Sequence, residues 1–137
     1  MKSDLSDKDY NALAGFRYAM RKFLRFSREF LAARAKLTPE QYEALLAIRT
    51  FSRSDGLTIG ELSERLQVKH HSAVSLVNKL VARKLATRQT GQRDRRQVYV
   101  KLTSAGAKLL TSLASEHRRQ LRHRSAEMIK ALTCLRS

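Results

Sequence analysis

Apolar and polar residues alternate along this chain in helical and strand-like rhythms, and each rhythm predicts an element. From Ser6 to about Lys36, Leu13, Phe16, Met20, Phe23 and Phe30 fall on one stripe. That predicts a long helix capped by Ser6 or Asp7, with Asp9 in its first turn. Tyr10, Tyr18 and Phe26 lie off the stripe, so this helix needs more than one neighbour: a second subunit is favoured over the wall of a small-molecule cleft. A second start stands at Leu37-Thr38-Pro39-Glu40-Gln41, where Thr38 caps, Pro39 takes the first helical position and Gln41 closes a capping box. Tyr42, Leu45, Leu46 and Ile48 supply the expected buried side, and the polar turn Ser52 to Gly56 ends the helix. Leu57 begins a strand of one or two residues. Thr58 and Glu61 repeat the box spacing, so a third helix starts at Ile59.

The stretch from Leu62 to Thr103 organises the rest. It reads as the third helix to Leu66, a tight turn at Gln67 to Lys69, a further helix from His71 to Lys84, and two strands, Ala86 to Thr90 and Gln97 to Leu102. At 100° per residue, Ala73, Leu76, Val77, Leu80 and Val81 share one side of the His71 helix, and Ser72, Ser75, Asn78, Lys79 and Ala82 the other. One face packs and the other is free. The turn holds no Gly, and Lys69, His70 and His71 stand where a Ser, Thr, Asp or Asn cap is usual. Between the strands, Gly91-Gln92-Arg93-Asp94-Arg95-Arg96 makes a hairpin with a basic tip. Thr103 then caps a long C-terminal helix in which Leu109, Leu110, Leu113, His117, Leu121, Met128, Leu132 and Leu135 recur at three- and four-residue steps.

Composition narrows the class. With 137 residues, 42% of them hydrophobic, the chain suffices for one domain with a real core. One Pro and five Gly favour long helices, hence a mainly α fold. The net charge of +16 is unevenly spread: residues 1–64 hold 11 basic and 9 acidic side chains, residues 65–137 hold 17 and 3. An excess gathered in and after the His71 helix points to a polyanion, since counterion release from nucleic acid rewards clustered Lys and Arg. A merely solvated surface would mix its signs. Cys134 is the only cysteine, so neither an internal disulfide nor a thiolate metal cluster can form within one chain. The acidic N-terminus is no secretory leader and no apolar run reaches membrane-spanning length. The expected location is the cytoplasm.

The free helix face offers hydroxyls at Ser72 and Ser75, an amide at Asn78 and an ammonium at Lys79, without a carboxylate or a bulky apolar group. That suits a helix laid in the major groove of duplex DNA. His71, at its start, is read as a phosphate or base contact. On the hairpin, Arg96 with Arg95 and Arg93 is placed to reach a minor groove, whose narrowing concentrates negative potential. The competing readings are a polar face turned to water and a charged hairpin with a turn-forming Asp94. Metal is not expected: His70 and His71 point about 100° apart, and His117 and His123 are six apart, a poor helical chelate. Cys134 is read as a buried inert thiol in preference to a redox sensor. No nucleophile or paired carboxylates suggest an enzyme, and no cofactor is expected.

Taken together, Leu62-Ser63-Glu64-Arg65-Leu66, Ser72-Ala73-Val74-Ser75-Leu76-Val77-Asn78-Lys79-Leu80 and Asp94-Arg95-Arg96 followed by Leu102-Thr103 resemble the MarR family of winged helix-turn-helix regulators. The resemblance implies one mainly α domain over residues 1–137. Within it, 38–103 form the DNA-binding winged helix-turn-helix, and 1–36 and 104–137 are dimerisation helices. It also implies that Asp94 pairs with an arginine to hold the wing, that Lys84 takes a helix-ending position usually given to Gly, and that the C-terminal helix breaks near 117–124. The expected function is that of a homodimeric, sequence-specific regulator of transcription, more naturally a repressor, on a palindromic operator. A small-molecule effector is left open. The alternatives are an architectural DNA-binding protein and, further off, an RNA-binding protein.

Overall fold

Four helix starts carry the caps that the sequence announces. The Ser6 hydroxyl accepts the Asp9 N–H while the Asp9 carboxylate accepts the Ser6 N–H. The same reciprocal box joins Thr38 to Gln41 and Thr58 to Glu61. Thr103 accepts the Gly106 N–H at 3.0 Å. Each such cap is worth about 1 kcal/mol. The computed structural model describes residues 4–92 and 94–137. In chain order it holds α1 (Asp7–Ala35), α2 (Pro39–Phe51), β1 (Leu57–Thr58), α3 (Ile59–Leu66), α4 (His70–Ala82), β2 (Ala86–Thr90), β3 (Val98–Leu102) and α5 (Ser104–Arg136).

The three strands form an antiparallel sheet in the order β1-β3-β2, with Leu57 opposite Val100 and Ala86 opposite Leu102. Leu31, Leu45, Ile48, Leu62, Val77, Leu80, Val100 and Leu113 are fully buried, and their cluster joins α1, α2, α3, α4, the sheet and the first half of α5. The long α1 and α5 lie against each other. Gly106 lets the first turn of α5 meet the end of the α4 segment, because a Cβ there would run into the Leu85 carbonyl oxygen. Among the described residues, three that are not glycine occupy left-handed backbone: Lys36, Gln67 and Lys84, at φ 53, 54 and 60°. They end α1, α3 and the α4 segment, at about 1 kcal/mol each relative to Gly.

Several expectations need correction. α4 runs from His70 to Ala82 rather than from His71 to Lys84, because Lys84 turns left-handed and releases the chain toward β2; β3 starts at Val98, one residue late. The inner line of α1 is Ala12, Ala19, Ser27, Leu31 and Ala35, while Leu13 is 46% exposed. Small residues let two long helices lie close and push the large ones to the flanks. Phe26, expected off the packed side, stacks on Phe30 with ring centroids 5.4 Å apart. Leu46 is 41% exposed although its helical spacing suggested burial.

The expected break near 117–124 is absent: α5 is one helix of 33 residues. Beyond Gly106 it contains no Gly or Pro to break it. The basic run fits because Arg118, Arg119, Arg122 and His123 point outward. Arg119 also pairs with Glu116, and that hydrogen bond holds the Glu116 carboxyl below the ordinary range. Among the described residues, no helix is long and apolar enough to cross a membrane.

Candidate nucleic-acid interface

The free side of α4 is as the periodicity predicts. Ala73, Leu76, Val77 and Leu80 are buried, Ser75, Asn78 and Lys79 are exposed and Ser72 is half-buried. Among the described residues, no hydrogen bond engages the side chains of these four polar residues, so their donors and acceptors are available to a ligand. α3 delivers the chain to α4 through left-handed Gln67, and α4 then begins at Lys69 without a side-chain cap and without an acidic residue in its first turn. Its first amides and the positive end of its dipole are left to solvent or to an anion. His70 and His71 stand exposed beside that end.

The wing is shaped from within. Gly91 N–H donates to the Gln97 carbonyl at 3.0 Å, and Gln97 N–H to the Asp94 carbonyl at 3.1 Å. Asp94 Oδ1 accepts both the backbone N–H of Arg96, at 3.0 Å, and its side-chain Nε–H, at 3.3 Å. Asp94 therefore does pair with an arginine. It occupies only Nε of Arg96, whose side chain is 91% exposed, so among the described residues the outer nitrogens of the guanidinium have no partner. Arg95 and Arg88 are exposed. Arg93, another of the expected contacts, lies outside the described residues. At the base of the wing, Gln89 Nε2 donates to the Asp55 carbonyl at 2.9 Å and ties β2 to the turn before β1.

Helix start and wing share one cleft of about 330 Å³, lined by Gly60, His70, Val74, Arg88, Arg96 and Gln97 among others. The fold thus brings His70, Arg88 and Arg96 to one place, with the open face of α4 alongside. Sequence reading set Arg96 on the wing and His70 at the helix start but did not join them. All three acidic residues after residue 64 are engaged by cations: Asp94 by Arg96, Glu116 by Arg119 and Glu127 by Lys22. None stands unpaired to oppose a phosphate backbone.

Two other residues weighed from the sequence lie elsewhere. His117 is buried where α1, α2 and α5 meet. Its Nδ1–H donates to the Leu113 carbonyl at 2.7 Å, so in the neutral ring Nε2 accepts the Ser27 hydroxyl at 2.9 Å. Tyr42 stacks on it at 4.2 Å, and Phe23, Phe26 and Phe30 meet it edge-on. Burial, and then Glu43, push the Tyr42 phenol above its ordinary value. Periodicity put His117 on the packed face, but nothing in the sequence revealed its partners. Cys134 is half-buried and not enclosed as expected: it lies near the end of α5 against the start of α1, its Sγ 3.9 Å from the Lys8 carbonyl oxygen. Among the described residues, no group of three or more His, Cys, Asp and Glu could hold a metal ion.

A helix, a turn, an outward-facing helix and a sheet whose hairpin projects a basic tip define a winged helix-turn-helix. Residues 35–97 match the model of the MarR family. Solved structures of that family extend the likeness over most of the chain. AbsC, a MarR family transcriptional regulator from Streptomyces coelicolor, is similar with a TM-score of 0.76 and 20% identity, over 90% of this chain and 82% of that one. The reduced form of MarR from E. coli gives 0.67 and 25%, over 87% and 88%. A single-residue mutant of S. aureus MepR, bound to an oligodeoxyribonucleotide, gives 0.66 and 21%, over 94% and 99%. No curated protein matches.

Proposed function

We propose that the protein is a sequence-specific, duplex-DNA-binding regulator of transcription that acts in the cytoplasm as a homodimer, represses by occupying a promoter, and is not an enzyme. The observation that carries this reading is the union, on one surface, of an unengaged polar helix face, an uncapped cationic helix start and an arginine wing. In this reading His71, Ser72, Ser75, Asn78 and Lys79 of α4 contact the major groove and its flanking phosphates. Arg95 and Arg96 enter the adjoining minor groove, joined on sequence grounds by Arg93. Asp94 holds the wing and orients Arg96. The oligodeoxyribonucleotide bound by the MepR mutant supports the same use of the fold.

The homodimer is supported by apolar surface on the long helices, where Tyr10, Leu13, Tyr18, Leu24, Ile129 and Leu132 are exposed. Segments 1–36 and 104–137 are then the dimerisation part, and 38–103 the reading part, of a single domain. Two-fold symmetry sets two α4 helices about one turn of DNA apart, roughly 34 Å. Selection from a random duplex pool tests the reading. An enriched imperfect inverted repeat with that spacing is expected, and a pool without enrichment would refute it.

A further inference from the structure

The C-terminal end of α4 is held from two sides. On one side the start of α5 grips it: the Thr103 hydroxyl donates to the Lys84 carbonyl at 2.7 Å, Thr103 N–H donates to the Leu85 carbonyl at 3.1 Å, and Gly106 lies flush against Leu85. On the other side stands a side-chain bond. Arg83, the C-cap of α4, donates from Nη1 to the carbonyl of Lys36, the C-cap of α1, at 3.0 Å across 47 residues of sequence. The main packing partners of α4 are α2, α3 and β2, so this bond ties it to a helix outside that set. A guanidinium suits the spot, because the last carbonyls of α1 carry the negative end of its dipole.

We propose that Arg83 is a positioning residue, which by bonding Lys36 fixes the angle of α4 relative to α1. Leverage makes the angle matter. Thirteen residues of helix span about 20 Å, so a tilt of roughly 5° about the Arg83 end moves the His70 end by roughly 1.7 Å. Recognition geometry tolerates about 0.5 Å. The consequence for DNA rests on the function proposed above, whereas the consequence for helix orientation does not.

Arg83→Met keeps the aliphatic stem and removes the donor, and Arg83→Lys restores one that reaches the same carbonyl. Residual dipolar couplings of the α4 amides, measured in the whole protein without DNA and fitted to the alignment of α1, report the angle. They are expected to shrink or reorient in Arg83→Met and to return toward the parent values in Arg83→Lys. Discrimination between the selected duplex and a scrambled one should fall about fivefold in Arg83→Met, the middle of the range for residues that touch neither ligand, with the slope of log K against log salt unchanged. Parent-like couplings in Arg83→Met would overturn the proposal. Parent-like couplings with a slope reduced by about one would overturn it in favour of a plain phosphate contact. If the couplings change but no duplex is selected even by the parent, the positioning role stands and the DNA reading falls alone.

Discussion

Replacing Asp94 separates two opposite effects of one carboxylate. Its charge opposes DNA: a unit charge about 8 Å from a phosphate costs about 0.5 kcal/mol in bulk water, and physiological salt screens much of that. Its geometry favours DNA, since one oxygen accepts both the backbone and the Nε protons of Arg96. The exposed Arg96–Asp94 pair adds little to stability, at most about 1 kcal/mol. Freeing Arg96, however, means that it must be immobilised again on binding, at about 0.5–1.5 kcal/mol. Asp94→Ala loses both effects, and ordering is the larger, so affinity for the selected duplex should fall by roughly 1 kcal/mol, about fivefold. Asp94→Asn keeps an oxygen in place for both donors and drops the charge, so it should bind within about twofold of the parent. Fluorescence anisotropy at physiological salt reads both, with thermal unfolding as the control for folding. If Asp94→Ala binds as tightly as the parent or more so, the carboxylate is only a turn former and the shaping argument fails.

The other predictions address the reading face, the core and the long helices. Ser75→Ala or Ser72→Ala should reduce discrimination between selected and scrambled duplexes by roughly 1 kcal/mol with the salt slope intact, while Lys79→Ala or Arg95→Ala should weaken both duplexes and lower the slope by about one. Salt titrations of each variant decide it, and parent-like discrimination in both serine variants would remove α4 from the major groove. His117→Ala removes the ring stacked on Tyr42 and leaves the buried Ser27 hydroxyl unpartnered. It should cost about 3 kcal/mol in urea unfolding, and a loss below about 1 kcal/mol would contradict the role given to that junction. Deleting residues 126–137 should leave a monomer or an aggregate. Sedimentation of the full chain as a well-folded monomer at micromolar concentration would refute the homodimer.

Much of this molecule was legible because its signals are local. Thr38 with Gln41 and Thr58 with Glu61 act over three residues, and they placed α2 and α3 to the residue. The alternation around Gly91 to Arg96 gave the hairpin, and the 100° wheel sorted Ala73, Leu76, Val77 and Leu80 from Ser75, Asn78 and Lys79. What failed depends on partners distant in sequence. The packed side of α1 could not be read from its large apolar residues, because close approach to α5 selects Ala12 and Ala19 for the inside. The break expected in α5 came from the resemblance and its basic run, yet an uninterrupted hydrogen-bond ladder outweighs charges that can point to water. His117 meets Ser27 across 90 residues and Arg83 meets Lys36 across 47. No periodicity encodes either bond.

The most direct test of the account is the ratio of dissociation constants for the selected duplex and a scrambled duplex of equal length and composition, measured at physiological salt. A protein that reads bases through α4 and the wing should prefer the selected duplex by roughly a thousandfold or more. A ratio near one, with both duplexes bound and both affinities falling steeply with salt, would contradict sequence-specific reading and make the protein one that binds DNA by charge alone.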